Sequence, residues 1–157
     1  QAFAVSATTL VGQSLGKRRS DMAQAYCSKT RTVGLISAMV LFVVFILFGK
    51  NIVALYNSDP GIIETGGKIM YFVAFLQPFQ TSQFITAGGL RGAGDTRSTA
   101  IITFITILLM RPVLAILFVR MGMGLYGAWL SLFIDHAFRF VTAFIRFNNN
   151  KWVKIRL

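Results

Sequence analysis

Few side chains in this sequence could do chemistry, and they stand out because they are set in apolar surroundings. Arg111, Asp135 and Arg139 are the ionisable groups inside long apolar segments. Charges at such positions are costly in hydrocarbon and mark functional or clamping sites. Asp135 and Arg139 are spaced i,i+4, which puts them on one helix face. Arg111 lies about 13 residues into the preceding segment, roughly 20 Å at 1.5 Å per residue; Asp135 lies about 10 residues into its own, roughly 15 Å. If the two segments are antiparallel helices, both charges fall in the middle third. The spacing predicts that Asp135 neutralises Arg111, Arg139 or both, as a structural clamp or as a proton-sensitive pair facing a cavity. His136 points about 100° away from Asp135 on a helix and reads first as a hydrogen-bonded packing residue, second as a proton relay.

A second set is neutral. Gln77, Gln80, Thr81, Gln83 and Thr86 interrupt an otherwise apolar run, with Tyr71 and Phe75 just before it. Polar groups at membrane depth must face protein or a water-filled cavity. Gln77, Gln80 and Gln83 are expected on one face, forming with Tyr71 a wall that an organic molecule could contact, since aromatic faces attract organic cations. Interhelical hydrogen bonding is the alternative use of the same groups.

The third set is the glycine-rich string Gly88-Gly89-Leu90-Arg91-Gly92-Ala93-Gly94-Asp95-Thr96-Arg97. Its order, G-x-x-G-x-G after an apolar helix, is not the G-x-G-x-x-G of a dinucleotide site, and no phosphate-binding lysine follows. The glycines are expected to supply positive φ for a tight turn. Asp95 and Thr96 are expected to cap the next helix.

The elements that must hold these groups are transmembrane helices. The chain is 157 residues, 55% hydrophobic and only 13% charged, whereas a soluble domain averages about 25% charged residues. A bilayer core takes about 20 apolar residues per helix. The sequence offers helices at about 32–55, 62–90, 98–119 and 125–147, and a shorter first stretch, Ala2 to Leu15, that reads as the second half of a spanning helix ending at Gly16. A polar segment through Arg31 reads as a separate amphipathic interfacial helix. Asn57-Ser58-Asp59-Pro60-Gly61 is a turn, with Ser58 or Asp59 capping a helix that begins near Pro60. A kink is expected at Pro78, and Pro112 follows Arg111. Gly122-Met123-Gly124 is a second tight turn. Trp152 and its lysine neighbours suit a membrane-surface anchor. The fold class is therefore all-α: a single polytopic transmembrane domain over residues 1–157, with four full spanning helices and a partial one at the N-terminus.

The formal charge of +11 does not indicate nucleic-acid binding, because the basic residues cluster in alternate loops. Eleven of the 16 lie on the side of the 91–97 turn and the C-terminus, three (Lys50, Lys68, Arg120) on the other, and Arg111 and Arg139 inside spans. The positive-inside pattern puts the 91–97 turn and the C-terminus in the cytoplasm. A single cysteine, Cys27, excludes an intrachain disulfide, and a single histidine leaves no basis for a metal cluster. Five acidic residues in five separate places provide no carboxylate cluster for an intramembrane lipid-modifying enzyme.

Several strings resemble the multidrug and toxic compound extrusion (MATE) transporters: Leu90-Arg91-Gly92-Ala93-Gly94-Asp95-Thr96-Arg97 closing a Gln-Pro-containing helix, the opening run from Ala7 to Ala23 with its VGQ-x-x-G and basic turn, Arg111-Pro112, and the ending from Asn148 to Leu157. The resemblance covers nearly the whole chain. It implies twelve helices in two six-helix lobes, with this chain as part of the C-terminal lobe and the N-terminal lobe as its partner. It further implies a plasma-membrane antiporter that exports organic cations and toxic compounds against protons or sodium ions, with no cofactor besides the transported ion. Some members carry coupling carboxylates within the helix equivalent to residues 62–90. Others are carried on the first helix of the lobe, which this sequence is expected to lack. Residues 62–90 hold only Glu64, at the end, so coupling is expected outside this sequence, in that first helix or in the other lobe. The alternative transporter is a lipid-linked oligosaccharide or polysaccharide flippase of related architecture, whose pyrophosphate-binding cavity would call for more buried Arg or Lys.

Overall fold

The computed structural model describes residues 1–149 and 151–154. Its helices are α1 (Ala2–Gly16), α2 (Ser20–Ala54), α3 (Pro60–Gly92), α4 (Thr96–Ile105), α5 (Arg111–Phe118) and α6 (Gly124–Asn148), with a short 3₁₀ turn at Lys151–Lys154. There is no strand among the described residues. Helices α1, α2 and α3 pack on one another, α6 packs on α3, and α5 packs on α6. Two stretches are long and apolar enough to cross a membrane: Ser20–Ala54, and Thr96–Asn148, which folds back on itself at Gly122–Gly124. In α3 the glutamines and threonines lower the hydropathy of a helix that is long enough to cross.

Solvent exposure is inverted relative to a water-soluble protein. Val40, Leu47, Phe104, Leu108, Val113 and Ile116 are all more than half exposed, while Ser131, Thr106, Thr86 and Asp135 are buried. An apolar outside around a polar inside is stable only when the surroundings are hydrocarbon, where every backbone and side-chain polar group must find its partner within the protein.

Several boundaries differ from the sequence expectation, each for a local reason. The polar segment before residue 32 is not a separate interfacial helix. It joins the span in one 35-residue helix, because Lys29-Thr30-Arg31-Thr32 holds no breaker and Gly34 sits inside the bundle beneath Ile85 and Thr81. Helix α1 does end at Gly16, but the left-handed residue that stops it is Arg18 (φ +58°), with the Arg19 amide donating to the Ser14 carbonyl at 2.9 Å. Asp59, not Ser58, caps α3: its carboxylate accepts from the Gly61 and Ile62 amides at 2.7 and 3.3 Å. Helix α3 runs on through Pro78.

The segment around Pro112 is wound more loosely. Pro112 has no N–H, and its ring crowds the carbonyl four residues back. Residues Thr106–Met110 form a π-helical stretch, in which the Arg111 amide donates to Thr106, five residues back. Such π turns occur often at functional sites; here the stretch ends at Met110, immediately before Arg111.

The glycine-rich string serves packing more than turning. Of its four glycines only Gly94 has a positive φ (+81°), and the Asp95 amide there closes back on Leu90 at 2.9 Å. Gly88, Gly89 and Gly92 are helical. A Cβ on Gly88 or Gly92 would strike the backbone of Ala4 or Thr8, and one on Gly89 would meet Cys27 Sγ. The spacing Gly88-x-x-x-Gly92 thus lets α1 and α3 touch backbone to backbone, as small residues do in membrane helices. Thr8 Oγ1 donates to the Gly88 carbonyl at 2.9 Å across this contact.

The densest core lies at this same end: Val11, Ala23, Cys27, Leu90, Ala93, Ala143, Phe147 and Trp152 are all buried together. Trp152 is therefore a core residue rather than a surface anchor. Its ring stacks on Phe147 at 5.0 Å and its Nε1–H donates to the Phe147 carbonyl at 2.6 Å. The rest of the expected anchor, Asn150, residues 155–157 and the side chains of Lys151 and Lys154, lies outside the described residues.

Gly92→Leu should separate α1 from α3, because the obstructing atoms are backbone and cannot move aside. The full-length protein carrying it is expected to lose most of its monodisperse, folded fraction on size-exclusion in detergent, whereas Gly16→Leu, where a side chain meets open space, should elute as wild type.

Candidate functional site

The predicted ionisable cluster forms as an Arg–Asp–Arg triad. Asp135 has no exposed side-chain surface. Arg139, one turn on, donates from Nε to Asp135 Oδ1 at 2.8 Å, and its Nη2 reaches Oδ2. Arg111 crosses from α5 and donates from Nε to Asp135 Oδ2 at 3.0 Å, with its Nη2 on the same oxygen. One carboxylate therefore serves two guanidiniums, and the triad carries one positive charge in excess. Arg139 is buried, while Arg111 retains about a third of its side-chain surface.

His136 adjoins the cluster, its Nδ1 3.6 Å from Asp135 Oδ2, but its shorter contact is to its own helix. Its Nδ1 lies 3.1 Å from the Leu132 carbonyl, which only a protonated Nδ1 can satisfy, and its ring stands edge-on to Phe84 with centroids 6.5 Å apart. The Leu132 contact and the ring packing are those of a hydrogen-bonded packing residue, set beside the Asp135 carboxylate.

The glutamine wall does not form as one surface. Gln77, Gln80, Thr81 and Phe84 line a cavity of about 380 Å³ with Ser37 of α2 and Phe3 of α1. Gln83 is buried outside it, and its Oε1, like Thr86 Oγ1, has no hydrogen-bond partner among the described residues. Tyr71 and Phe75 line a different groove, with Phe72, Leu130 and Phe133. Helix geometry explains the division. Each residue advances about 100°, so Gln77 and Gln80 are about 60° apart but Gln77 and Gln83 about 120°, too far to share a face. Phe84, Ser37 and Phe3 were not foreseen as cavity residues; Phe84 could have been found by extending the Gln77–Gln80–Thr81 face one more turn.

A second ion pair also escaped the sequence reading. Asp95 sits just ahead of α4, but its closest partner is Arg146 of α6, whose Nε donates to Oδ2 at 2.7 Å. The carboxyl is almost fully buried. Burial pushes it up, and the Arg146 guanidinium together with Ser98 outweighs that, holding the Asp95 carboxyl below the usual carboxylate range. No local pattern links residues 51 positions apart. A group with a depressed folded pKa contributes its stability above the ordinary value of 3.8 and loses it as the pH falls through the folded value. Arg146→Gln should thus cost about 1–3 kcal/mol at neutral pH, because it strands a buried carboxylate. In thermal melts of the full-length protein, the gap between wild type and variant should close as the pH is taken below that value.

A family model described as MatE matches residues 1–117. The chain is 30% identical over 153 residues to a protein of Thermotoga maritima named probable multidrug resistance protein NorM, an alignment covering 97% of this chain and 33% of that relative. It is 27% identical over 146 residues to the uncharacterized transporter YisQ of Bacillus subtilis, covering 92% of this chain and 32% of the relative. With the multidrug resistance protein MdtK of Yersinia pestis the identity is 37% over 103 residues, covering 66% of this chain and 22% of the relative. The chain thus spans about a third or less of the length of the curated relatives it matches.

Proposed function

The chain belongs to the MatE family, and from that premise we propose that it is part of a cation-coupled exporter of organic cations and other toxic compounds. It works by moving substrates across the cytoplasmic membrane, without covalent chemistry, in exchange for protons or sodium ions. The names of its relatives, multidrug resistance proteins in two cases, support the substrate class. The basic loops support a cytoplasmic C-terminus. Transporters built from repeats bind substrate near mid-membrane and alternate access by rocking one half against the other; the second half is the N-terminal lobe of the longer polypeptide.

The observation that carries this reading is the cavity of α1, α2 and α3. The residues that line it include four neutral polar side chains of α2 and α3 and two phenylalanines, with no charged side chain among the described residues. Amide oxygens and the faces of Phe3 and Phe84 can hold a delocalised organic cation by cation–π attraction and hydrogen bonding. Such weak, distributed contacts suit a site that must also release its load. The carboxylate of Asp135, already held by two arginines, is not available to it. Coupling is accordingly assigned to the part of the transporter outside this chain.

In cells expressing the full-length protein, Gln80→Ala and Phe84→Ala are each expected to slow efflux of a cationic dye several-fold at matched expression. Leu47→Ala, on the exposed apolar surface, should leave it unchanged. Efflux at wild-type rate in both cavity variants would refute the assignment of the site, and running the assay under sodium and then proton gradients identifies the ion.

A further inference from the structure

The groove that Tyr71 lines is separate from the cavity and has its own chemistry. It measures about 320 Å³, and its walls, Tyr71, Phe72 and Phe75 of α3 and Leu130 and Phe133 of α6, are apolar. It opens to the outside of the bundle, since Tyr71 and Phe75 are about half exposed. Its walls are braced: Phe75 is met edge-on by Phe42 at 5.2 Å and Phe133 by Phe79 at 5.3 Å.

One end of the groove is basic. Lys68 precedes Phe72 by one turn on the same helix face, and the Tyr126 ring of α6 is 6.1 Å from Phe72. The stem of Lys50 crosses α3 at Gly67, beside Lys68. The protein partner of Lys68 is Glu64, at 2.8 Å in an i,i+4 pair with both side chains more than half exposed, an interaction of little strength that another anion can replace. Lys50, Lys68 and Glu64 together carry one net positive charge.

An apolar slot open to the membrane, with ammonium groups at one mouth, fits an amphiphile with an anionic head and a hydrocarbon tail. We propose that this groove is a site for an anionic phospholipid. Its phosphate is held by Lys68 and Lys50 at the α2–α3 end, where tyrosines favour the headgroup level, and one acyl chain lies along Tyr71, Phe72 and Phe133. The distance from Lys68 to Phe75 along α3, about 10 Å, places the head at the interface and the chain in the hydrocarbon. The inference needs only the membrane setting and does not rest on the export reading.

The test is the thermal midpoint of the purified full-length protein in detergent, titrated with phosphatidylglycerol, with phosphatidylcholine of the same chains, and with inorganic phosphate. Phosphatidylglycerol is expected to raise the midpoint saturably and more than phosphatidylcholine, and phosphate alone to leave it unchanged. Lys68→Gln should weaken the apparent phosphatidylglycerol affinity about fivefold, and Lys68→Arg should restore it. Leu130→Trp, which fills the groove, should abolish the lipid-dependent rise whatever its baseline midpoint. Equal rises with both lipids, a full rise with phosphate alone, or an undiminished response in both Lys68→Gln and Leu130→Trp would overturn the proposal.

Discussion

The helices on one side of this bundle depend on the carboxylate of Asp135. Helix α5 presents no fully buried side chain of its own, so apolar packing alone ties it weakly to the rest. Arg111 reaches across to a carboxylate that α6 already holds against Arg139. In a low-dielectric setting such charges are tolerable only when paired and hydrogen-bonded, and here both arginines require the one carboxylate. The π-helical turn leads directly into Arg111 and Pro112, so the loosened backbone and the clamp meet at one residue. Through α6, which packs on α3, the clamp connects the hairpin of α4 to α6 with the helices that enclose the cavity.

The opposite constraint acts at the end that carries the 91–97 turn. There contact is by absence of side chains: Gly88 and Gly92 bring α3 against α1, Gly89 accepts Cys27, and the core closes around Phe147 and Trp152. The Asp95–Arg146 pair fastens the turn to α6 at the same level. The bundle is thus held by close backbone contact and a buried core at one end and by a charge cluster further in, while large apolar side chains cover the outside. The cavity and the groove occupy opposite sides of α3, and the roughly 100° step of the helix separates the glutamine face from the aromatic one.

Much of this was legible in the sequence. Membrane helices, their turns and the family followed from hydropathy, Gly/Pro punctuation and a few strings. The meeting of Arg111, Asp135 and Arg139 followed from i,i+4 spacing and the depths of two antiparallel segments. What was missed has physical reasons. Lysines, arginines and threonines read as an interface although nothing in residues 28–33 stops a helix. Glycines read as turn-formers although three of the four occupy helical positions where only a hydrogen fits. Trp152 read as an anchor because most of its core neighbours, in α1, α2 and the end of α3, are far away in sequence, and the same distance hid Arg146 from Asp95. The glutamine wall failed because three residues at i, i+3 and i+6 drift by about 120°.

The charge arithmetic of the triad is the point most open to direct attack. The decisive measurement compares the unfolding stability of full-length Asp135→Asn, Arg111→Gln and the double variant in one detergent. Asp135→Asn leaves two guanidiniums without a counter-charge and is expected to cost about 3–5 kcal/mol. Arg111→Gln leaves the balanced Asp135–Arg139 pair and should cost clearly less, and the double variant should show strong coupling between the two positions. An Arg111→Gln loss equal to or larger than that of Asp135→Asn, or additive losses in the double variant, would contradict the account.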